Sequence, residues 1–146
     1  ARDAVIIAAR NQKRIIGCAT GSSLDKHHDA FAAPLRSAGI DLGTTFYCGE
    51  SVLLPAYRGR GLGHAFFDQR EEHARALGYR RACFCAVVRN ADHPARPQDY
   101  SPLDPFWMAR GYRKLPGAIA HFGWKDLGDA TETEKPMQVW LKEFGD

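Results

Sequence analysis

A glycine- and arginine-rich segment, Tyr57 to Gly63 (YRGRGLG), holds the residues best suited to bind an anion. It lies between a strand-like stretch and a helix-like stretch, and the first N–H groups of a helix lack intrahelical partners and attract phosphate oxygens. Glycines let the backbone approach those oxygens closely, while Arg58 and Arg60 add positive charge. The segment therefore predicts a phosphate-binding turn. The alternative is a tight strand-to-helix turn with incidental arginines.

The stretches on either side of this turn predict one strand-helix-strand unit. Thr44 to Leu54 is strand-like and ends at Pro55, and Gly49 in its interior suggests a bulge. Arg80 to Arg89 is a nearly continuous apolar run, which is typical of a strand covered on both faces. Between them, apolar residues recur at helical spacing up to Gly78, at positions Leu62, Phe66, Phe67, Ala74 and Leu77.

Further short elements are expected before and after this unit. Two β-branched runs joined by a polar triplet predict an opening hairpin, formed by Ala4 to Arg10 and Arg14 to Thr20. A short helix is predicted within Asp25 to Ala38 and a loop over Asn90 to Pro102. A second short helix is predicted up to Gly111, with Asp104 as N-cap and Pro105 as first helical residue. The last two predicted strands are Ala118 to Trp124 and Met137 to Phe144, separated by Lys125 to Pro136.

Composition limits the classes of protein that this chain can belong to. Its 146 residues and 45% hydrophobic content suit one globular domain over residues 1–146. A net charge of +3 without a long basic run argues against a nucleic-acid partner. No stretch approaches the roughly 20 apolar residues that span a bilayer, and the first residues lack the layout of a signal peptide. We therefore expect a soluble protein with no membrane partner.

Cysteine and histidine spacing gives no metal or disulfide pattern. Four cysteines without a CxxC spacing favour a reducing cytoplasm. Cys83 and Cys85 lie two apart in an apolar run, so on a strand both face one side and are expected in the core. The adjacent His27 and His28 would point about 100° apart on a helix, which favours exposed polar residues over a metal site.

The stretch LLPAYRGRGLGHAFF is similar to motif A of the GNAT acyltransferases, R/Q-x-x-G-x-G/A. Arg58, Gly61 and Gly63 match its three signature positions, and the predicted order of elements resembles the family over most of the chain. A Walker-type loop is disfavoured because no Gly-Lys-Ser/Thr follows the turn, and a dinucleotide fold because its second half is missing. The resemblance implies a mixed α/β domain with a mostly antiparallel sheet and helices on both faces.

The resemblance also implies acetyl-coenzyme A as cosubstrate. Its pantetheine arm would lie along Glu50 to Leu54, contacting Val52, Leu53 and Leu54, with the pyrophosphate on Arg58 and on the turn residues Gly59, Arg60, Gly61, Leu62 and Gly63. An amine would attack the thioester in a gap between this strand and Arg80 to Arg89. The Leu53 or Leu54 N–H would stabilise the oxyanion.

Glu50 is the carboxylate that the resemblance places beside this gap, as a base for the amine. The alternative is an exposed or salt-bridged glutamate. The family's general acid, a tyrosine, is replaced here by Trp107, which cannot protonate a thiolate. Either Tyr100 or Tyr112 takes this role, or the thiolate leaves without help from the protein. Asn90 corresponds to an asparagine that often binds the cofactor.

The start of the chain departs from the family, which opens with a strand and two helices that build part of the acceptor site. Either an upstream segment is absent, or residues 21–46 take over this role. In the second case the polar residues Asp25, His27, His28, Asp29 and Asp41 would meet the acceptor; otherwise they form solvated surface. We therefore expect this chain to be the C-terminal part of a longer polypeptide or a homodimer.

The resulting prediction is an N-acetyltransferase that acts on a primary amine of a small molecule or peptide, without a metal. The alternative is a noncatalytic module that binds or senses acyl-coenzyme A. The sequence does not identify the acceptor, because acceptor pockets are built from variable loops.

Overall fold

In the part of the chain that the structure describes, six strands form one mixed sheet in the order β1-β2-β3-β4-β6-β5. The computed structural model describes residues 3–24, 29–88, 103–124, 130–131 and 133–145. The strands are β1 (Val5–Asn11), β2 (Arg14–Ser23), β3 (Thr45–Leu53), β4 (Arg81–Val87), β5 (Arg113–Trp124) and β6 (Thr133–Glu143). The helices are α1 (Asp29–Ser37), α2 (Leu62–Ala76) and α3 (Asp104–Ala109).

All neighbouring strands pair antiparallel except β3 and β4, which pair parallel. The crossover between these two strands contains α2, since parallel strands need a connection long enough to return to the same end of the sheet. The predicted strand-helix-strand unit, the opening hairpin and the mostly antiparallel mixed sheet are thus confirmed.

Two apolar clusters cover the two faces of the sheet. The first lies under α2 and α3 and includes Phe46, Cys48, Phe67, Phe84, Tyr112 and Trp140. The second lies under α1 and includes Leu24, Leu35, Tyr47, Cys83 and Val139, with Cys85 packed against it. Neighbouring residues of one strand, such as Phe46 and Tyr47, enter different clusters because side chains alternate across a strand. Helices on both faces are therefore observed, and Cys83 and Cys85 share the α1 face as predicted.

Several predicted boundaries were wrong. Leu103 is the N-cap of α3, so Asp104 is its first residue and Pro105 its second. β5 begins at Arg113 and β6 at Thr133, both several residues before the predicted starts. Leu77 was expected on the buried stripe of α2 but is 50% exposed. The predicted loop 90–102 and the pair His27 and His28 lie outside the described residues.

No described helix has the length and apolar character needed to cross a membrane. Within the same described ranges, no cluster of three or more His, Cys, Asp or Glu side chains is arranged to hold a metal ion.

A buried thiol, Cys48, and a partly buried one, Cys85, make stability depend on pH. Burial raises the pKa of Cys48 to about 11 and that of Cys85 to about 12, from an ordinary value of 9.0. Well below pH 9 these thiols are protonated in both the folded and the unfolded chain. As the pH rises above 9, the unfolded chain loses these protons first, so the folded state loses stability, by up to about 1.4 kcal/mol per pH unit for each thiol.

We therefore expect the free energy of unfolding to fall between pH 8 and pH 10. Urea unfolding of the wild type and of Cys85→Ala at both pH values measures this, and the variant should lose less stability over the interval. Equal losses in the two proteins would contradict the assignment to Cys85.

Candidate functional site

The glycine-rich turn connects β3 to the start of α2. After one 3-10 turn at Pro55–Tyr57, the backbone takes positive φ at Gly59 (78°) and at Gly61 (81°), the N-cap of α2. A Cβ atom added to either glycine would meet no atom within 4 Å, so both glycines border open space. Gly61 provides no capping side chain, and the first turn of α2 carries no acidic residue. The N–H groups at the helix start therefore remain available to an anion.

The two arginines of the turn are held by local contacts. Arg58 donates from Nε to the Leu53 carbonyl, at 3.1 Å, at the end of β3. The Arg60 guanidinium lies over the Tyr57 ring, 5.4 Å from its centroid. The Tyr57 hydroxyl in turn accepts a hydrogen bond from Asn11, at 2.9 Å. Two exposed positive charges thus flank the helix start.

A gap opens between β3 and β4 beside the turn. The two strands pair only from Thr45–Arg81 to Tyr47–Cys83, after which β4 continues along β6 as far as the Val87–Met137 pair. On the other side, β3 stays paired with β2 up to Gly17–Leu53. The C-terminal half of β3 therefore presents an edge with no described strand beside it, where an extended ligand can bind as a further strand.

The ladder between β2 and β3 decides which N–H of this edge faces the gap. Leu54 donates its N–H to the Ile16 carbonyl, at 2.9 Å. Because alternate residues of an antiparallel strand point their N–H groups to opposite sides, the Leu53 N–H points away from β2. The predicted choice between Leu53 and Leu54 as oxyanion donor therefore narrows to Leu53, since Leu54 is already bonded within the sheet.

Glu50 lies in a bulge of β3 and is exposed. Ala19 pairs with Ser51 and Gly21 with Cys48, so the single residue Thr20 opposes both Gly49 and Glu50. The bulge expected from Gly49 is therefore observed. The Glu50 N–H donates to Thr20 Oγ1, at 3.0 Å.

The bulge places the Glu50 side chain on the α1 face of the sheet. Thr20 and Ser22 lie two residues apart on β2 and so share a face, and Ser22 pairs with Tyr47, which packs against Phe31 of α1 at a ring distance of 4.9 Å. Burial raises the pKa of Tyr47, and the neighbouring cysteines and the Glu50 carboxylate add to the shift. Glu50 is thus a carboxylate open to solvent, with its charge near Tyr47.

Tyr112, one of the two tyrosines expected to act as general acid, lies in the core. It is fully buried under α2, where its hydroxyl donates to Glu71 at 3.1 Å, and burial raises its pKa. This enclosed position argues against Tyr112 as the acid, because its hydroxyl already has a partner in the core. Trp107 packs on Phe84 and Trp140, at ring distances of 4.8 and 5.1 Å. Tyr100 and Asn90 lie outside the described residues.

Sequence reasoning missed two polar residues that contact the bulge. One is Thr20, which accepts the Glu50 N–H, and the other is Arg70 of α2, whose guanidinium is buried. Arg70 donates to the Thr20 carbonyl at 3.2 Å and lies 3.5 Å from the Glu50 carbonyl. The sequence does contain a sign of the buried Arg70, because Arg70 and Glu71 interrupt the apolar stripe of α2 at positions that face the core.

Three solved structures of acetyltransferases resemble this fold. PaiA N-acetyltransferase from Thermoplasma acidophilum, in complex with coenzyme A, is 11% identical, with a TM-score of 0.57 over 97% of this chain and 62% of that one. YncA from Salmonella typhimurium, a putative acetyltransferase with its cofactor acetyl-CoA, is 12% identical, with a TM-score of 0.60 over 97% and 65%. IAA acetyltransferase from Bacillus cereus is 10% identical, with a TM-score of 0.62 over 98% and 79%.

The chain therefore spans about two thirds of the length of the first two of these structures, and at such identities the likeness concerns the fold. No curated protein matches the sequence. The sequence profile of the acetyltransferase (GNAT) family matches residues 1–97, which include β1 to β4, α2 and the glycine-rich turn. The chain belongs to the acetyltransferase (GNAT) family.

Proposed function

We propose that this protein is an N-acetyltransferase that transfers the acetyl group of acetyl-coenzyme A to a primary amine. The proposal rests mainly on one observation. The unpaired edge of β3 leads to the start of α2 at Gly61, which borders open space. A polyanion joined to an extended amide-containing arm fits this pair of features, because the helix start attracts phosphates and the strand edge offers backbone hydrogen bonds. Coenzyme A has this construction.

Each part of the site has a physical task. The N–H groups after Gly61, with Arg58 and Arg60, would hold the pyrophosphate. Val52, Leu53 and Leu54 would line the pantetheine arm along the edge of β3. Acetyl-coenzyme A supplies a thioester carbonyl, and the Leu53 N–H would donate to its oxygen as negative charge develops there.

Glu50 would accept the proton of the attacking amine, directly or through water. An alkylammonium has a pKa of about 10.4, so at neutral pH the acceptor must lose a proton before it can attack. The exposed carboxylate on the α1 face suits this task, since a base that receives protons from an incoming substrate must be accessible. We infer that the amine approaches from this face.

A noncatalytic module that binds acyl-coenzyme A is the second candidate. Two observations favour it: Tyr112 is enclosed in the core, and Trp107 stands where a tyrosine acid was expected. Such a module would use the same turn and the same strand edge, so ligand binding alone does not separate the two functions.

Release of free thiol from acetyl-coenzyme A in the presence of a panel of amines separates them. Calorimetry should detect coenzyme A binding in either case, whereas only the transferase should release thiol in proportion to added amine. Mass spectrometry of the amine should then find one added acetyl group. Binding without amine-dependent release would favour the sensing module, and absence of binding would contradict both.

The proposed acceptor is an amine of a small molecule or of a peptide. The homodimer or upstream segment expected from the sequence stays a prediction.

A further inference from the structure

The bulge in β3 decides which face of the sheet carries Glu50. In a regular strand, Glu50 would share a face with Cys48, two residues before it, and would point under α2 into the first apolar cluster. The extra residue reverses this alternation, because each one-residue shift moves all following side chains to the other face. Val52, which pairs with Cys18 on the Thr20 face of β2, shows the reversed pattern.

Thr20 closes the bulge from one side. Its hydroxyl accepts the Glu50 N–H at 3.0 Å, which supplies a partner for a backbone group that the bulge removes from the regular ladder. The fit is tight, since a Cβ atom added to Gly49 would lie 2.6 Å from Thr20 Oγ1. A side chain at position 49 would therefore collide with the Thr20 hydroxyl, so the bulge requires a glycine at this position.

Arg70 closes the bulge from the other side. Its residue is 1% exposed, its guanidinium lies 4.5 Å from the centroid of the Phe67 ring, and it reaches the carbonyls of Thr20 and Glu50. Within the described part of the chain no carboxylate pairs with Arg70, and its Nε has no hydrogen-bond partner. Burying a cation without a carboxylate is costly, so the two main-chain contacts and the contact with the Phe67 ring are the interactions that hold it there.

We propose that Thr20 and Arg70 are positioning residues that fix this bulge and thereby hold Glu50 on the α1 face of the sheet, beside the gap. This inference rests on the proposed function only where it concerns catalysis. Thr20 holds the N–H of Glu50 and Arg70 approaches its carbonyl, so both peptide groups that flank the Glu50 side chain are fixed. The same bulge precedes Leu53, so its loss would also turn the Leu53 N–H away from the gap.

Thr20→Val tests the Thr20 contact with little change in shape, and Thr20→Ser keeps the hydroxyl. Hydrogen exchange at the Glu50 amide is the first readout, because it needs no turnover. Loss of the acceptor should accelerate this exchange about tenfold in Thr20→Val, whereas Thr20→Ser should stay close to the wild type. Unchanged exchange in Thr20→Val would overturn the proposal, whatever the activity.

Steady-state kinetics are the second readout. In Thr20→Val the Arg70 contact to the main chain remains, so the bulge should be loosened without being lost. We therefore expect kcat for amine-dependent thiol release to fall about tenfold and the Kd for coenzyme A to stay within about twofold. Thr20→Ser should restore kcat. Faster exchange together with a wild-type kcat would overturn the positioning role.

Arg70→Met removes the guanidinium but keeps an apolar side chain of similar length, and Arg70→Lys keeps a single donor. Arg75→Met is the matched control, because Arg75 lies on the same helix and its guanidinium lies over the Phe144 ring at 4.7 Å. We expect faster exchange at Glu50 and a lower kcat in Arg70→Met, partial recovery in Arg70→Lys and neither effect in Arg75→Met. Equal effects of Arg70→Met and Arg75→Met would overturn the role of Arg70.

The two proposals can fail separately. A wild-type protein that binds coenzyme A without turnover would contradict the proposed acetyl transfer but not the bulge contacts, because hydrogen exchange tests those contacts without turnover.

Discussion

Replacement of Glu50 by glutamine should lower the rate of acetyl transfer roughly 10²-fold at neutral pH and leave the affinity for coenzyme A nearly unchanged. Glutamine keeps the size and the exposed position of the side chain but cannot accept a proton from an ammonium group. The Glu50 N–H bond to Thr20 involves only the backbone, so the substitution should leave the bulge intact. A 10²-fold loss corresponds to about 2.7 kcal/mol of transition-state stabilisation.

A pH series of kcat/KM measures this effect. If Glu50 is the base, the variant should depend more steeply on pH and recover part of its rate at high pH, where free amine is abundant. Glu72→Gln is the matched control, since Glu72 is an exposed glutamate on α2. Wild-type turnover of Glu50→Gln with the same pH dependence would mean that the base is another group or solvent.

The strand-helix-strand unit was predictable because its signals are local. Apolar spacing identified α2 and the apolar run identified β4, while Gly59 and Gly61 marked the turn at positions where the backbone takes positive φ. Gly49 likewise indicated the bulge, because a glycine inside a strand often marks one. Each of these features depends on residues that are close together in the sequence.

The start of β5 was missed because an irregular segment interrupts the strand. Pro116 and Gly117 read as strand breakers, yet they lie in an interruption of the β5–β6 register between Lys114 and Ile119. Gln138 holds this interruption by donating to the Leu115 carbonyl at 2.9 Å. A long-range hydrogen bond of this kind leaves no periodic signal in the chain.

The burial of Tyr112 could not be predicted, for a related reason. Its position after α3 placed it near the expected general acid, but the face to which it points depends on packing against α2. There, Glu71 accepts from Tyr112 and pairs with Arg110 at 3.2 Å and with Lys142 at 2.5 Å. Glu71 also interrupts the apolar stripe of α2, and these partners allow its carboxylate to be buried there. Buried polar groups need partners, and these partners come from elements distant in sequence.

Replacement of Gly61 by valine should weaken coenzyme A binding at least tenfold, which is equivalent to about 1.4 kcal/mol. Gly61 is the N-cap of α2 with a φ of 81°, a conformation in which a β-branched residue is strongly disfavoured. Its missing side chain also leaves the approach to the helix start open. Valine would therefore both strain the turn and occupy the space through which phosphate oxygens reach the backbone N–H groups.

Strain alone could lower stability without any connection to the ligand, so the control must reproduce the strain elsewhere. Gly78 has a φ of 90° just beyond the other end of α2, and a Cβ atom there also meets nothing within 4 Å. The length of α2, about 1.5 Å per residue, separates the two glycines by more than 20 Å. Gly78→Val should thus cost a comparable amount of stability and leave the Kd for coenzyme A unchanged. Calorimetry on both variants, with thermal unfolding to confirm that each is folded, tests the assignment. A folded Gly61→Val protein that binds coenzyme A as tightly as Gly78→Val would mean that the pyrophosphate lies elsewhere, because the two substitutions differ only in which end of the helix they alter.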